Sequence, residues 1–425
     1  MAKVTPAGEN AEPQLRNEAA HGVCFYTPAQ DPSAGTAASP QPSGKPVPKL
    51  FTPLQIRGMT MQNRIMVSPM CQYSAHEGFH TMWHTTHLGG IIQRGPGLTV
   101  VEATAVQANG RITPEDSGLW LDAHIDRLRE HVAFAHSQGQ KIAIQLSHAG
   151  RKASTVAPWL SRGSTATREA GGWPDDVVAP SAVAYDAHHP SPREMSLDEI
   201  EQVKADFVAA ARRAVKAGFD AVEIHGAHGY LLHQFVSPAS NRRTDRYGGE
   251  FDSRVRLALE VTEMVREAIP ESMPLMYRIS ATDWLEEDDE VGPGWTVEDS
   301  IRLVPLLAER GVDVLDVSTA GNHPRQKIKG GPAYQAPFAM AIKKAVGDKM
   351  LVGTVGAITT GTLAEELVSG GPDPDKALDF VAAGRMFQKN PGLVWAWAEE
   401  LQTSIYLPKQ IGWGFGGRTS KPSHH

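Results

Sequence analysis

The chain has 425 residues, 41% of them hydrophobic and 21% charged, and its formal net charge is −7 at pH 7. At about 150 residues per domain this length suggests two or three domains, although one (β/α) barrel can use most of it. The apolar content is sufficient for a large core. The acidic balance argues against a protein that binds nucleic acid by neutralising phosphates.

The two cysteines, Cys24 and Cys71, are too few for a disulfide framework, a four-cysteine zinc site or an iron–sulfur cluster. No run approaches the roughly 18 consecutive apolar residues of a membrane span. The N-terminal sequence lacks the apolar region of a secretory signal. We therefore expect a cytoplasmic protein that does not associate with membranes.

The N-terminal region, residues 1–48, is rich in proline, alanine, serine and glycine and has no apolar periodicity. This composition predicts an irregular arm, either poorly structured or wrapped around a folded body. From Lys49 onward, short runs rich in valine, isoleucine and leucine alternate with segments of helical period, which is typical of βα units around a parallel sheet. We place the folded unit at residues 49–400 and a C-terminal tail at residues 401–425.

The clearest helix follows Ser196, because Ser196 and Glu199 have the spacing of a capping box and Gly218 marks the end of the helical period. Eight strands are predicted in all: Arg64–Ser68, Leu98–Glu102, Lys141–Leu146, Ala221–His225, Leu275–Ser280, Val314–Ser318, Met350–Gly353 and Phe380–Ala383. No G-x-G-x-x-G motif opens a helix, so we predict a (β/α)8 TIM barrel with enlarged top-face loops rather than two dinucleotide-binding halves. The longest loop, residues 151–193, is expected at the mouth of the barrel.

The loops at the carboxyl ends of barrel strands build the active site. His225 and His228 follow one strand end and could both point at one oxygen atom, and Tyr230 could deliver a proton beside a polarised carbonyl. A zinc pair and structural histidines are the alternatives. Zinc is the weaker one, because the first strand is followed by Cys71 and not by the His-x-His of metal-dependent barrel hydrolases.

Glycines follow the last two predicted strands, at Gly353, Gly356 and Gly384, and Arg385 stands beside the last of them. Barrels commonly bind a phosphate there, and an arginine favours that interpretation over simple turn glycines.

Two further groups are less specific. Arg278 ends its strand with no acidic neighbour in the sequence, which favours an anionic ligand, although an ion pair with a distant carboxylate stays open. A histidine cluster without flanking acidic ligands is interpreted as polar residues on a loop and on the first barrel helix rather than as a metal site; it comprises His76, His80, His84 and His87.

Several motifs in order resemble the Old Yellow Enzyme family of FMN-dependent ene-reductases, in particular its thermophilic-like branch. They are SPMCQYS, EATAV, IQLSHAGRKAS, HGAHGYLLHQFVSPASNRRTDRYGG and AAGR, and the resemblance runs from Lys49 to Trp397. It implies a TIM barrel that binds FMN and takes hydride from NADPH or NADH.

The cofactor-binding residues that the resemblance implies are Ser68, Pro69, Met70, Cys71, Ala103, Gln145, Arg278, Val355, Gly356, Gly384 and Arg385. Among them, the Cys71 thiol would lie near the flavin and tune its potential. Ala103 and Gln145 would meet the pyrimidine edge, and Arg278 would stabilise the negative charge of the reduced ring. Gly384 and Arg385, with the backbone of residues 355–356, would hold the phosphate.

For the substrate, the resemblance implies that His225 and His228 bind the carbonyl or nitro oxygen of an enone, enal or nitroalkene, and that Tyr73 contacts the substrate. Hydride would reach the β carbon from the flavin, and Tyr230 would protonate the α carbon. The competing hypotheses are a metal-dependent barrel hydrolase and a barrel that binds a ligand without turnover.

One departure concerns the C-terminus. In the branch, an arginine near a tryptophan reaches into a partner subunit's site, whereas Gly414 stands at that place here, and whether Arg418 replaces the arginine is left open. A homodimer is therefore left open.

Overall fold

A computed structural model describes residues 16–292 and 294–415 of the chain. The strands of these residues are β1 Leu54–Ile56, β2 Met59–Met61, β3 Ile65–Val67, β4 Leu98–Ala105, β5 Ile142–Ser147, β6 Val178–Ala179, β7 Arg193–Glu194, β8 Ala221–Gly226, β9 Leu275–Ser280, β10 Val314–Ser318, β11 Leu351–Thr354 and β12 Phe380–Ala383. The helices are α1 Met82–Ile92, α2 Ile125–Ser137, α3 Leu197–Ala217, α4 Leu231–Val236, α5 Phe251–Arg254, α6 Arg256–Ala268, α7 Val297–Glu309, α8 Ala336–Val346, α9 Gly361–Ser369, α10 Arg385–Lys389, α11 Leu393–Glu400 and α12 Lys409–Gly412.

Eight parallel strands close into a barrel in the order β3-β4-β5-β8-β9-β10-β11-β12. These are the eight strands that the sequence predicts, and the predicted (β/α)8 architecture is confirmed. Three of them, β9, β10 and β12, have the predicted bounds, and the ends of the others differ by at most three residues. The short apolar runs predicted these strands because parallel strands covered by helices are apolar on both faces.

Helix α3 shows how local sequence fixes an element. The Ser196 hydroxyl accepts from the Glu199 amide at 3.2 Å, and the Glu199 carboxylate accepts from the Ser196 amide at 2.8 Å. Gly218 follows the helix in the left-handed conformation, with φ of 95°. Both ends of the 21-residue helix are therefore the predicted ones.

A hairpin closes the lower end of the barrel. Strands β1 and β2 pair antiparallel, and their buried side chains, Leu54, Ile56, Met59 and Met61, pack against residues near the amino ends of the barrel strands. Because this end is filled with apolar side chains, only the carboxyl ends of the strands are available for polar chemistry.

The arm from Arg16 to Pro48 runs along the barrel and meets the C-terminal tail. Ala37 bridges to Ile405, and the Gln30 side chain donates to Gln410 at 2.8 Å. The buried Asn63 amide donates to Gly35 of the arm at 3.0 Å. The described part of the arm is thus wrapped around the folded body, which is one of the two forms that the sequence left open. The division of the chain at residues 48 and 400 stays a prediction. No helix within residues 16–292 and 294–415 combines the length and the apolarity needed to cross a membrane.

Candidate active site

The two histidines after β8 lie beside each other at the mouth of the barrel. The ring centroids of His225 and His228 are 5.1 Å apart at an interplanar angle of 86°, and Tyr230 lies 5.1 Å from His225. The sequence prediction that these three side chains converge agrees with this geometry.

Hydrogen bonds indicate which nitrogen each histidine offers to a ligand. His225 Nδ1 accepts from the Ala227 amide at 3.3 Å, so the proton of a neutral ring is on Nε2. His228 Nε2 lies 2.7 Å from Ser318 Oγ, which leaves Nδ1 for a ligand. Burial, and next the nearby Arg278, hold the pKa of both imidazoles well below the usual range, so both rings are neutral at pH 7.

The loop after β3 supplies a second side of the mouth. Cys71 is half-buried, and burial together with Asp116 and Glu102 raises the pKa of its thiol well above the usual value. It is therefore a neutral thiol, and a neutral thiol is a poor nucleophile. Tyr73 packs edge-on against Trp159 at 5.8 Å between ring centroids. The loop of residues 151–193 thus reaches the mouth, as its length predicts.

A buried ionic group lies on strands β9 and β10, with Arg278 in register with His225 on β8. Arg278 Nε is 3.1 Å from Asp316 Oδ2 on the neighbouring strand, without the alignment of a hydrogen bond. Of the alternatives left open for Arg278, the structure shows the ion pair with a distant carboxylate, because barrel register places Asp316 directly opposite it. Glu223, fully buried, accepts from Gln145 Nε2 at 2.7 Å, and burial and the charge of Asp316 raise its pKa to about 8.

A groove of about 380 Å³ lies at the carboxyl ends of β11 and β12. It brings together five of the predicted cofactor residues, Met70, Val355, Gly356, Gly384 and Arg385. Gly356 has φ of 119°, and a Cβ there would come within 2.7 Å of Gln335 Nε2, so the groove needs glycine at this point.

The set fits FMN. The glycine groove and Arg385 suit a phosphate. The buried polar atoms of Glu223, Arg278 and Asp316 that lack hydrogen-bond partners suit the polar edge of a ring. Of the remaining predicted residues, Ser68 and Pro69 lie on the loop after β3, Ala103 lies in β4, and Arg418 lies outside the described residues.

The second histidine cluster includes an acidic residue that the sequence does not place nearby. His80, His84 and Glu102 bring one ligand atom each within 4.8 Å of one another, so the fold supplies from β4 an acidic residue that does not flank the histidines in the sequence. However, His84 Nδ1 accepts from the Thr81 amide at 3.0 Å, which puts the proton on Nε2, 3.0 Å from Glu102. A protonated Nε2 cannot ligate a metal, and Glu102 also accepts from the Gln72 amide, so this pair holds the loop that carries Cys71.

Sequence reasoning missed Lys152, which lies in the loop after β5. Its ammonium group donates to the backbone oxygens of His228 at 2.9 Å and Gly321 at 3.0 Å. The only available signal was a lysine directly after Arg151 near a strand end, and this does not indicate which backbone atoms it meets.

Comparison with known proteins identifies the class. The sequence profile of the NADH:flavin oxidoreductase / NADH oxidase family matches residues 49–404. An NADH:flavin oxidoreductase of Gibberella zeae is 56% identical over 411 residues, which cover 95% of this chain and 97% of that protein. The NADPH dehydrogenase of Bacillus subtilis is 39% identical over 369 residues, which cover 86% of this chain and 99% of that protein.

Solved structures of related enzymes have the same fold as this chain. Morphinone reductase superposes with a TM-score of 0.66 at 26% identity, covering 85% of this chain and 91% of its own. The Old Yellow Enzyme homologue of Zymomonas mobilis superposes with a TM-score of 0.66 at 27% identity, covering 84% of this chain and 94% of its own.

The chain therefore belongs to the NADH:flavin oxidoreductase / NADH oxidase family. It is a flavin-dependent oxidoreductase that uses FMN and a reduced nicotinamide, and the predicted Old Yellow Enzyme resemblance is confirmed. This assignment favours the flavin-dependent oxidoreductase over the metal-dependent hydrolase and over the barrel without turnover.

Proposed function

We propose that the protein is an ene-reductase that reduces the activated double bond of α,β-unsaturated carbonyl or nitro compounds, with NADPH or NADH as electron donor. The observation that carries the proposal is the convergence of two neutral imidazoles and a tyrosine at the mouth of the barrel. The names of the relatives, NADPH dehydrogenase and morphinone reductase, support the same class of reaction.

The groove residues Gly356, Gly384 and Arg385 would hold the FMN phosphate, and Gln145 and Arg278 would face the ring. When bound, FMN supplies hydride-transfer chemistry between the nicotinamide and the substrate. Cys71 and Tyr73 would line the same space from the loop after β3.

The histidines bind and orient the substrate. The Nε2–H of His225 is one donor for the substrate oxygen. His228 Nδ1 is the second donor when the Ser318 hydroxyl donates to His228 Nε2 rather than to Gln335 Oε1. Two hydrogen bonds to that oxygen draw electron density from the conjugated double bond and make its β carbon electrophilic. Because the rings are neutral, they donate without competing for a proton.

Tyr230 holds the proton for the α carbon. Burial, and next the nearby Cys71, raise the pKa of its hydroxyl well above the usual value of 10.0, so the phenol is fully protonated at pH 7. A phenol close to the two oxygen-binding histidines can release its proton only to a strongly basic carbon, which the polarised substrate becomes as its β carbon is reduced.

A single spectroscopic experiment tests the proposal. The purified protein should be yellow, NADPH should bleach the flavin band without oxygen, and cyclohexenone should restore the band. A colourless protein that cannot be reconstituted with FMN contradicts the assignment of the cofactor. A bleached protein that neither cyclohexenone nor a nitroalkene reoxidises contradicts the assignment of the substrate.

A further inference from the structure

Lys152 ties together two loops at the mouth of the barrel. Its ammonium group donates to the backbone oxygen of His228, after β8, and to the backbone oxygen of Gly321, after β10. Two carbonyl oxygens that point at one place repel each other unless a donor lies between them. The lysine therefore holds the two loops in contact.

The same ammonium group contacts two aromatic rings. It lies 5.0 Å from the ring centroid of Tyr230 and 4.9 Å from that of Tyr185, which belongs to the loop of residues 151–193. A cation over an aromatic face is attracted by the ring, more strongly where water is excluded. Lys152 thus contacts the proposed proton donor as well as the loop that covers the site.

The backbone that Lys152 holds is unusual. His228 has φ of 59°, a left-handed conformation that is rare for a residue with a side chain, and its amide donates to Ser280 Oγ at 2.9 Å. The loops are also close, since a Cβ on Gly229 would lie 2.1 Å from the Gly321 oxygen. A strained conformation of this kind persists only where surrounding contacts fix it.

We propose that Lys152 is a positioning residue that fixes the backbone of His228 against the loop after β10, and thereby aims the donor nitrogen of His228 at the substrate oxygen. This inference rests on the proposed function, because it takes the two histidines as the oxygen-binding pair. Lys152 acts through the backbone, because its hydrogen bonds go to the backbone oxygens of His228 and Gly321.

The charged and titratable groups around Lys152 make its role dependent on pH. Burial, and next the adjacent Arg151, lower the pKa of the lysine to about 8, while Asp186 opposes the shift. The other titratable groups that face it are His225, His228, His189, Tyr185 and Tyr230.

None of the five facing side chains becomes charged near pH 8. The pKa values of the three histidines are lowered from their ordinary value of 6.5, and those of the two tyrosines are raised from 10.0. Because an ammonium group donates more strongly to two carbonyl oxygens than a neutral amine does, positioning is strongest below about pH 8 and weakens as pH rises through that value.

The test compares K152M with K327M in FMN-loaded protein. Lys327 is a matched control because it also donates to a backbone oxygen, that of Glu287 at 2.8 Å, but is exposed.

Phenol, a mimic of the held oxygen, is titrated at pH 7 and its binding is followed by the change in flavin absorbance. We expect K152M to bind phenol about tenfold more weakly, equivalent to the loss of about one hydrogen bond to a charged group. We expect FMN affinity to stay at the wild-type level, and K327M to match the wild type throughout.

Phenol affinity of K152M equal to that of the wild type would overturn the inference while leaving the proposed function intact. A wild-type protein that binds no phenol would instead refute the proposed function itself. If K152M is not recovered with FMN, the wild-type pH profile decides. The KM for cyclohexenone, which does not ionise, should rise as pH increases through about 8, and a flat KM would overturn the inference.

Discussion

Arg278 and Asp316 form a buried ion pair across adjacent barrel strands, with Nε and Oδ2 3.1 Å apart. A second carboxyl group, that of Glu223, lies close enough for the charge of Asp316 to raise its pKa. Arg278 therefore pairs with Asp316, Glu223 is mostly protonated at pH 7, and the same guanidinium is the cation that would face the flavin.

Arg278→Ala should destabilise the protein by about 3–5 kcal/mol, because removing one partner leaves an uncompensated buried charge. The variant should also bind FMN more weakly or hold it at a lower reduction potential. Urea unfolding and a flavin redox titration measure these effects. Arg302→Ala, on the exposed side of α7, is the control; equal effects of the two substitutions would contradict the role of Arg278.

Glu223→Gln should change how stability depends on pH. The folded protein raises the pKa of Glu223 to about 8, so it binds this proton more tightly than the unfolded chain does. The resulting stabilisation is full below pH 4.5 and is lost as pH rises through about 8, with a slope of up to about 1.4 kcal/mol per pH unit. Glu223→Gln keeps an acceptor for Gln145 and should remove this slope. Unfolding curves between pH 5 and 9 measure how the free energy of unfolding depends on pH. The exposed control Glu250→Gln keeps Glu223 and should keep the slope of the wild type. An equally steep slope in Glu223→Gln would contradict the prediction.

Tyr230→Phe should slow the reoxidation of reduced enzyme by cyclohexenone by about 10²–10⁴-fold, the usual contribution of a positioned acid. The rate of flavin bleaching by NADPH should stay nearly unchanged, because that half-reaction needs no proton from Tyr230. Stopped-flow absorbance separates the two rates. Tyr406→Phe, in the C-terminal tail, serves as control, and equal losses in both half-reactions would rule out a proton donor.

His225→Ala and His228→Ala should each weaken phenol binding by about tenfold, the equivalent of roughly 1.4 kcal/mol for one lost hydrogen bond. Since the pKa values of both rings are held well below 6.5, phenol affinity in the wild type should not change between pH 6 and 7. Flavin difference spectra measure both quantities. A wild-type affinity that falls steeply over this interval would mean that a ring is charged.

Zinc should not stabilise the cluster of His80, His84 and Glu102, because Nε2 of His84 carries the proton donated to Glu102. Melting temperatures with added zinc and after treatment with a chelator should therefore agree. Glu102→Gln, by contrast, should lower the melting temperature, since Glu102 holds both His84 and the Gln72 amide. A zinc-dependent rise that disappears in His84→Ala would disprove the assignment.

Local patterns predicted much of the fold. The strands and the capping of α3 follow from apolar runs, a capping box and Gly218, all of which lie close together in the sequence. His225, His228 and Tyr230 could be grouped for the same reason, because they fall within six consecutive residues.

Contacts across the barrel could not be predicted in the same way. Asp316 and Glu102 meet their partners only through strand register and helix placement, which one sequence does not contain. A signal did exist for Glu223 and Asp316, since a charged residue within an apolar strand must be paired or neutral. Lys152 gave no comparable signal, because its partners are backbone oxygens.

The bridge between Ala37 and Ile405 joins segments that are synthesised at very different times. Residues 30–41 emerge from the ribosome early, yet their partners in residues 404–410 follow only after all eight barrel strands have been made. The contacts between the arm and the tail can therefore form only after the whole barrel has been translated, whereas the contact between Gly35 and Asn63 can form much earlier.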